Sequence, residues 1–131
     1  MRKYDNYCKA LINLHEGTKL QPPYTIVERT GIIGLFEICF ELSWKVMKEC
    51  LEEQGRFDAQ TGSPRAIIKI AYQCNMIGDE QTWLEILEAR NILSHTYSDE
   101  QSMSVIDDIK NSFINAFDAL KTELSEHWLG E

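Results

Sequence analysis

Apolar side chains recur at helical spacing along almost the whole chain. In the first segment the stripe is Tyr4, Tyr7, Cys8, Leu11 and Leu14, at positions i, i+3, i+4, i+7 and i+10. This spacing places all five on one face of an amphipathic α-helix. No segment shows the strict alternation that is typical of a β-strand. The pattern therefore predicts an all-α protein.

The residues between the stripes predict where the helices begin and end. A long second helix is predicted from about Ile26 to Gln54, with Gly55 as its C-terminal cap. Ser63 followed by Pro64 is an N-cap residue with proline at the first helical position. Asp79 can cap the next helix in the same way.

A last long helix is predicted after Ser98, which resembles a capping box with Gln101. Its stripe consists of Ile106, Ile109, Phe113, Phe117, Leu120, Leu124 and Trp128. We therefore predict an up-and-down bundle of four to five helices, forming one domain over residues 1–131. Because the last helix would be roughly 40 Å long in so small a chain, we expect part of it to pack on another subunit.

Composition narrows the range of partners. The 131 residues carry a formal net charge of −8, which argues against autonomous tight binding of nucleic acid. Two kinds of partner remain open, RNA bound at one small basic site and a more basic protein.

The sequence also bears on the cellular compartment. No segment is apolar for long enough to span a membrane, and no signal peptide is recognisable. The four cysteines form no CxxC pair. We therefore expect a cytoplasmic chain with reduced cysteines.

The segment from Leu84 to Tyr97 is where the apolar stripe becomes polar. A helical face that begins at Leu84 and Leu87 continues to Asn91 and His95, with Arg90 beside it. If the helix continues, Arg90 and Tyr97 lie within about 20° of each other around its axis. One interpretation is a satisfied buried polar network that holds two helices or two subunits in register; the other is a site for phosphate, because guanidinium binds anions and imidazole transfers protons near neutral pH. The spacing does not suit a metal site.

Arg90-Asn-Ile-Leu-Ser-His95-Thr-Tyr97 resembles the R-N-x-x-x-H-x-Y signature of HEPN domains. It is most similar to the subgroup paired with minimal nucleotidyltransferases, the nucleotidyltransferase substrate-binding proteins. Three further blocks resemble that subgroup in order, at 36–45, 62–65 and 83–88, so the resemblance covers roughly residues 4–125. It implies a helical bundle that forms a homodimer.

The resemblance also implies a function. Several HEPN proteins are metal-independent endoribonucleases whose arginine and histidine motifs meet at the dimer interface. By that likeness Arg90 would bind the scissile phosphate, His95 would act as general acid or base, and Asn91 would orient one of them. No cofactor is expected. In this subgroup the nucleotidyltransferase resembles an antitoxin that transfers AMP to the motif tyrosine, here Tyr97. The alternative is a non-catalytic subunit that binds nucleotide or substrate for a separate nucleotidyltransferase.

A few other residues are candidates for chemistry or for packing. Arg65 follows a helix start, where anions bind well, and is a candidate phosphate-binding residue; otherwise the segment only starts a helix. Glu37 and Glu41 either form a solvated face or pair with Arg90, of the same chain or of the other chain of a dimer. Trp44, Trp83 and Phe36 are predicted to belong to the core rather than to stack on nucleobases.

Overall fold

The helices begin and end close to where the sequence predicts. The computed structural model describes residues 1–130; Glu131, the last residue of the predicted domain, lies outside the described residues. The α-helices are α1 (Arg2–Thr18), α2 (Ile26–Glu53), α3 (Pro64–Gln73), α4 (Glu80–Leu93), α5 (Asp99–Asp108) and α6 (Ile114–His127). A short 3₁₀ turn covers Phe57–Ala59, and residues 1–130 contain no strand. The predicted all-α class is confirmed.

Side-chain caps fix the helix starts. The Ser63 hydroxyl accepts from the amide of Ala66, and Pro64 is the first residue of α3. Ser98 forms a full capping box with Gln101 at the start of α5. At the C-terminal end of α2, Gly55 follows the C-cap residue and has φ +88°, the left-handed conformation that glycine commonly adopts at this position. The predicted caps are therefore confirmed.

The last helix is continuous but not uniform. A π-helical turn at Ile109–Phe113 connects α5 directly to α6, so the run from Asp99 to His127 extends about 43 Å at 1.5 Å per residue. Ile109 and Phe113 stay buried across this turn. Lys110, on the same turn, donates to the carbonyl of Leu20 and to the hydroxyl of Tyr24. The π turn thus anchors the segment between α1 and α2.

An aromatic cluster joins α2, α4 and α6 at the centre of the bundle. The Phe36 ring centroid lies 5.9 Å from that of Phe113 and 6.2 Å from that of Phe117. Trp83 meets Phe117 edge to face at 5.4 Å. The hydroxyl of Tyr7 on α1 donates to the carbonyl of Phe117 at 2.6 Å. These contacts fix α4 against α2, the two helices that carry the polar residues described next.

One face of α2 is left uncovered by the other elements of residues 1–130. Apart from the adjoining residues and the nearby backbone of α2 itself, Gly31 and Gly34 have no atom of residues 1–130 within 4 Å of the position that a Cβ would occupy. Val27 and Ile38, one turn to either side, are 77% and 55% exposed. Successive positions in this set are four, three and four residues apart, so they form a single stripe on the helix: Val27, Gly31, Gly34 and Ile38.

Candidate functional site

Arg90 lies in the last turn of α4, whose start and packing determine where its side chain emerges. The Asp79 carboxylate accepts from the amide of Thr82 at 3.1 Å and from its hydroxyl at 2.6 Å, which caps the helix. Trp83 and Leu87 are buried and hold α4 on the core. The helix ends at Leu93, three residues after Arg90.

The Arg90 guanidinium is held on three sides. Its Nη2 donates to Oε2 of Glu41 at 2.7 Å, and its Nη1 donates to Oδ1 of Asn91 at 3.2 Å. The guanidinium carbon lies 5.6 Å from the ring centroid of Phe40, within the range of a cation–π contact. The side chain remains 29% exposed, so that solvent and ligands can reach it.

Glu41 is itself fixed by a neighbour on α2. The indole Nε1 of Trp44 donates to Oε1 of Glu41 at 2.9 Å, whereas Arg90 uses the other carboxylate oxygen. Trp44 is half-buried and packs against the core, in line with its predicted place there. Of the two interpretations of Glu41, the structure supports pairing with Arg90 of the same chain. The bond from Trp44 to Glu41 is not predictable from the sequence pattern.

Glu37 lies one turn before Glu41 on the same helix. Burial raises the pKa of the Glu37 carboxyl, and the nearby positive charge of Arg90 offsets part of that rise. Arg90 therefore lies in the field of two carboxylates of α2. Only Glu41 bonds to it directly.

His95 lies outside α4, in the segment that leads to α5. It is exposed, as is Asn91. These two residues line a cleft of about 380 Å³ together with Ile92, Glu88 and, from the start of α3, Arg65. The structure thus brings Arg65 to His95, a proximity that the sequence did not predict. Glu88 was also missed, although it precedes Asn91 and Ile92 by three and four residues and so shares their helix face.

Two expectations about this segment are wrong. Because α4 ends at Leu93, Arg90 and Tyr97 do not share a helix face. Asn91 and His95 are exposed in the single chain, so the inward face that begins at Leu87 does not continue to them, and they form no buried network between helices of one chain; a network between subunits stays a prediction. Tyr97 is half-buried against the core, immediately before the cap of α5.

The site contains no cluster suited to a metal. Among residues 1–130, no group of three or more histidine, cysteine and acidic side chains could hold a metal ion. The charged and polar groups near this end of α4 are two guanidinium groups, one imidazole, one amide and three carboxylates. They belong to Arg65, Arg90, His95, Asn91, Glu37, Glu41 and Glu88.

Among the described helices, none is long and apolar enough to cross a membrane.

Comparisons with known proteins identify the family. Residues 2–126 match the family described as nucleotidyltransferase substrate binding protein like. The chain belongs to this family. A curated relative, "Probable ribonuclease HepT" of Haemophilus influenzae, is 37% identical over 105 residues, which are 72% of this chain and 70% of the relative. The predicted resemblance is confirmed.

Two solved structures share the fold. HI0074 of Haemophilus influenzae, described as revealing the fold of a substrate binding domain of a nucleotidyltransferase, superposes with a TM-score of 0.77 at 28% identity, covering 94% of this chain and 99% of the other. A protein of Thermus thermophilus superposes with a TM-score of 0.80 over 90% of this chain and 98% of the other. At 24% identity it supports the fold alone.

Proposed function

We propose that this chain, as one domain over residues 1–131, is the HEPN toxin of a nucleotidyltransferase-linked toxin–antitoxin pair and a metal-independent endoribonuclease. One observation carries the proposal: Arg90 and His95 flank Asn91 at the exposed end of α4. Arg90 bonds to Asn91, and Asn91 shares a cleft with His95 and Arg65. The relative named as a ribonuclease supports the same reaction class.

The reaction needs a phosphate ligand, a base and an acid. Arg90 and Arg65 bind the phosphate, because guanidinium N–H groups match phosphate oxygens. His95 takes the proton of the ribose 2′-hydroxyl, whose oxygen attacks phosphorus while the bond to the 5′-oxygen breaks. The leaving oxygen receives a proton, and the products carry a 2′,3′-cyclic phosphate and a 5′-hydroxyl. Asn91 orients Arg90 or His95.

We propose a homodimer because the motif supplies one histidine per chain, whereas the reaction uses both a base and an acid. Two-fold symmetry would bring a second His95 to the cleft. The unpartnered stripe of α2, defined by Val27, Gly31, Gly34 and Ile38, supports a second copy packing there. Glycines let two helix backbones approach closely, which would offset their cost of about 1 kcal/mol each in helix propensity.

The second partner that we propose is a minimal nucleotidyltransferase acting as antitoxin. It would transfer AMP from ATP to Tyr97: the phenolic oxygen attacks the α-phosphorus and pyrophosphate leaves. The added phosphate would bring negative charge two residues from His95 along the chain and would repel RNA. Both proteins would act in the cytoplasm, in agreement with the free thiols of this chain.

Two other observations favour a second function. The family description and the net charge of −8 both suit a non-catalytic subunit that binds nucleotide or substrate for a nucleotidyltransferase. In that case Arg90 and Arg65 would bind a nucleotide phosphate and His95 would transfer no proton.

Product chemistry separates the two functions. Purified protein is incubated in EDTA with total cellular RNA, which contains every RNA class, or with denatured DNA, which lacks the 2′-hydroxyl. The ribonuclease cuts only the RNA and leaves 2′,3′-cyclic phosphate ends. Absence of cleavage, or cleavage that requires a divalent metal, would support the binding subunit or another mechanism.

A further inference from the structure

Arg90 is the residue on which the proposed function depends most, and its side chain is long and flexible. An arginine side chain has many rotamers and loses most of this conformational entropy when it is fixed in one geometry. A free Arg90 would lose this entropy on binding phosphate. In the structure the guanidinium is already fixed, by Glu41, Asn91 and the Phe40 ring.

The bond to Glu41 leaves Arg90 able to bind an anion. A guanidinium carries five N–H groups. Within residues 1–130, Glu41 and Asn91 accept from one each. The pairing with Glu41 uses one N–H group of Nη2 and a single oxygen, so three of the five N–H groups have no partner among residues 1–130 and can donate to a phosphate.

Glu41 is fixed in turn by Trp44. Because the indole uses Oε1 and the guanidinium uses Oε2, both hydrogen bonds exist at the same time. The result is a continuous chain of hydrogen bonds from Trp44 through Glu41 and Arg90 to Asn91. Asn91 in turn lines the cleft that contains His95. Each link is between 2.7 and 3.2 Å.

We propose that Glu41 is a positioning residue, which holds the Arg90 guanidinium toward Asn91 and the His95 cleft, and that Trp44 fixes Glu41 in place. This inference rests on the proposed function for its effect on catalysis. Glu41 itself touches no reacting atom. It acts through Arg90, and its loss should lower the rate rather than the affinity for RNA.

The chain offers a matched control on the same helix. Glu49 pairs with Lys3 of α1 at 3.1 Å and is 32% exposed, against 34% for Glu41. Both are α2 carboxylates that bond to a cation of another helix. Only Glu41 bonds to Arg90.

The experiment compares Glu41→Gln, Trp44→Phe and Glu49→Gln with the unmodified protein. Initial rates of cleavage are measured over a range of total RNA concentrations, and circular dichroism monitors folding. We expect Glu41→Gln to lower kcat about tenfold with KM nearly unchanged, as for loss of a coupled network member. Trp44→Phe, which keeps the ring but removes the N–H, should lower kcat about threefold. Glu49→Gln should match the unmodified protein.

Two results would overturn the inference. Unchanged kcat in Glu41→Gln would show that Arg90 needs no support from Glu41. A lower KM or a higher rate would show that Glu41 competes with phosphate instead of positioning Arg90.

A second measurement tests whether Glu41 positions Arg90 without relying on RNA cleavage. Nitrogen-15 relaxation of the Arg90 Nε–H group reports the mobility of the side chain. The order parameter should fall in Glu41→Gln and stay unchanged in Glu49→Gln; an unchanged value in both overturns the inference. If the unmodified protein does not cleave RNA, the proposed function fails, and this measurement alone still supports or overturns the positioning role.

Discussion

Arg90 on α4 and Glu41 on α2, separated by 49 residues of sequence, meet through a single hydrogen bond of 2.7 Å between Nη2 and Oε2. About a third of each side chain is exposed. An ion pair that is this accessible to solvent contributes about 0–1 kcal/mol to stability. The pairing therefore matters more for where the guanidinium points than for holding the bundle together.

Replacement of Arg90 by alanine should remove RNA cleavage but keep the fold. It removes the ion pair and the contact with Phe40, so the free energy of unfolding should fall by no more than about 2 kcal/mol. Urea denaturation measures this fall, and cleavage of total RNA measures the loss of activity. A larger destabilisation would indicate that Arg90 is mainly a structural residue.

Replacement of Gly34 by alanine should separate chain stability from self-association. The new methyl group meets no side chain and no other element within residues 1–130, so α2 should gain about 1 kcal/mol from helix propensity. If a second copy packs on this stripe, the methyl group weakens dimerisation. Sedimentation measures association, and denaturation at low protein concentration measures stability. Gly78→Ala, also in open space but outside α2, should leave association unchanged. Equal association of Gly34→Ala and the unmodified protein would place the interface elsewhere.

Replacement of Asp79 by alanine should destabilise the helix that carries Arg90. Loss of an N-cap costs about 1 kcal/mol at pH 7. The Thr82 hydroxyl and amide hold the pKa of Asp79 below its usual range. The stabilisation from a lowered pKa is present above the unfolded-state value of about 3.9 and is lost as the pH falls through the lower folded-state value.

The difference in unfolding free energy between native protein and Asp79→Ala should therefore shrink in acid. Urea denaturation at pH 7 and at stepwise lower pH below 4 measures it. Asp79→Asn is the matched control, because asparagine caps well without titrating. A difference that stays constant into acid would contradict this account of the cap.

Tyr97 should be the residue that accepts AMP. Incubation with the partner nucleotidyltransferase, ATP and Mg²⁺ should raise the mass of the chain by whole AMP units, as measured by mass spectrometry. Tyr97→Phe should lose the shift and keep RNA cleavage. The control is Tyr72→Phe, because Tyr72 is 46% exposed and lies on α3, outside the motif; it should be modified normally. A shift that survives in Tyr97→Phe would place the acceptor elsewhere.

The sequence predicts the helices because their signals are local. Apolar spacing and the caps at Ser63, Asp79 and Ser98 are each contained within one or two turns, and all three caps are present. The π turn at Ile109–Phe113 was not predicted, because the residues on both sides keep the same apolar spacing.

The site is less predictable because its contacts are not local. The motif identifies Arg90 and His95, but the direction of the Arg90 side chain depends on where α2 lies. The end of α4 at Leu93 also moves His95 and Tyr97 off the face that helical extrapolation gives them. The cleft with Arg65 exists because α3 starts beside the end of α4, which no periodicity encodes.

The proposed function requires His95 and Arg90 to cleave RNA without a metal ion. The most direct measurement is the rate of total RNA cleavage in EDTA by the unmodified protein, by His95→Ala and by His127→Ala. His127 is exposed at the end of α6 and pairs with Glu123, outside the site, and serves as the matched control. We expect the unmodified protein and His127→Ala to cleave at the same rate and His95→Ala to be inactive while still folded. Cleavage by His95→Ala at the unmodified rate, or none by the unmodified protein, would contradict the claim.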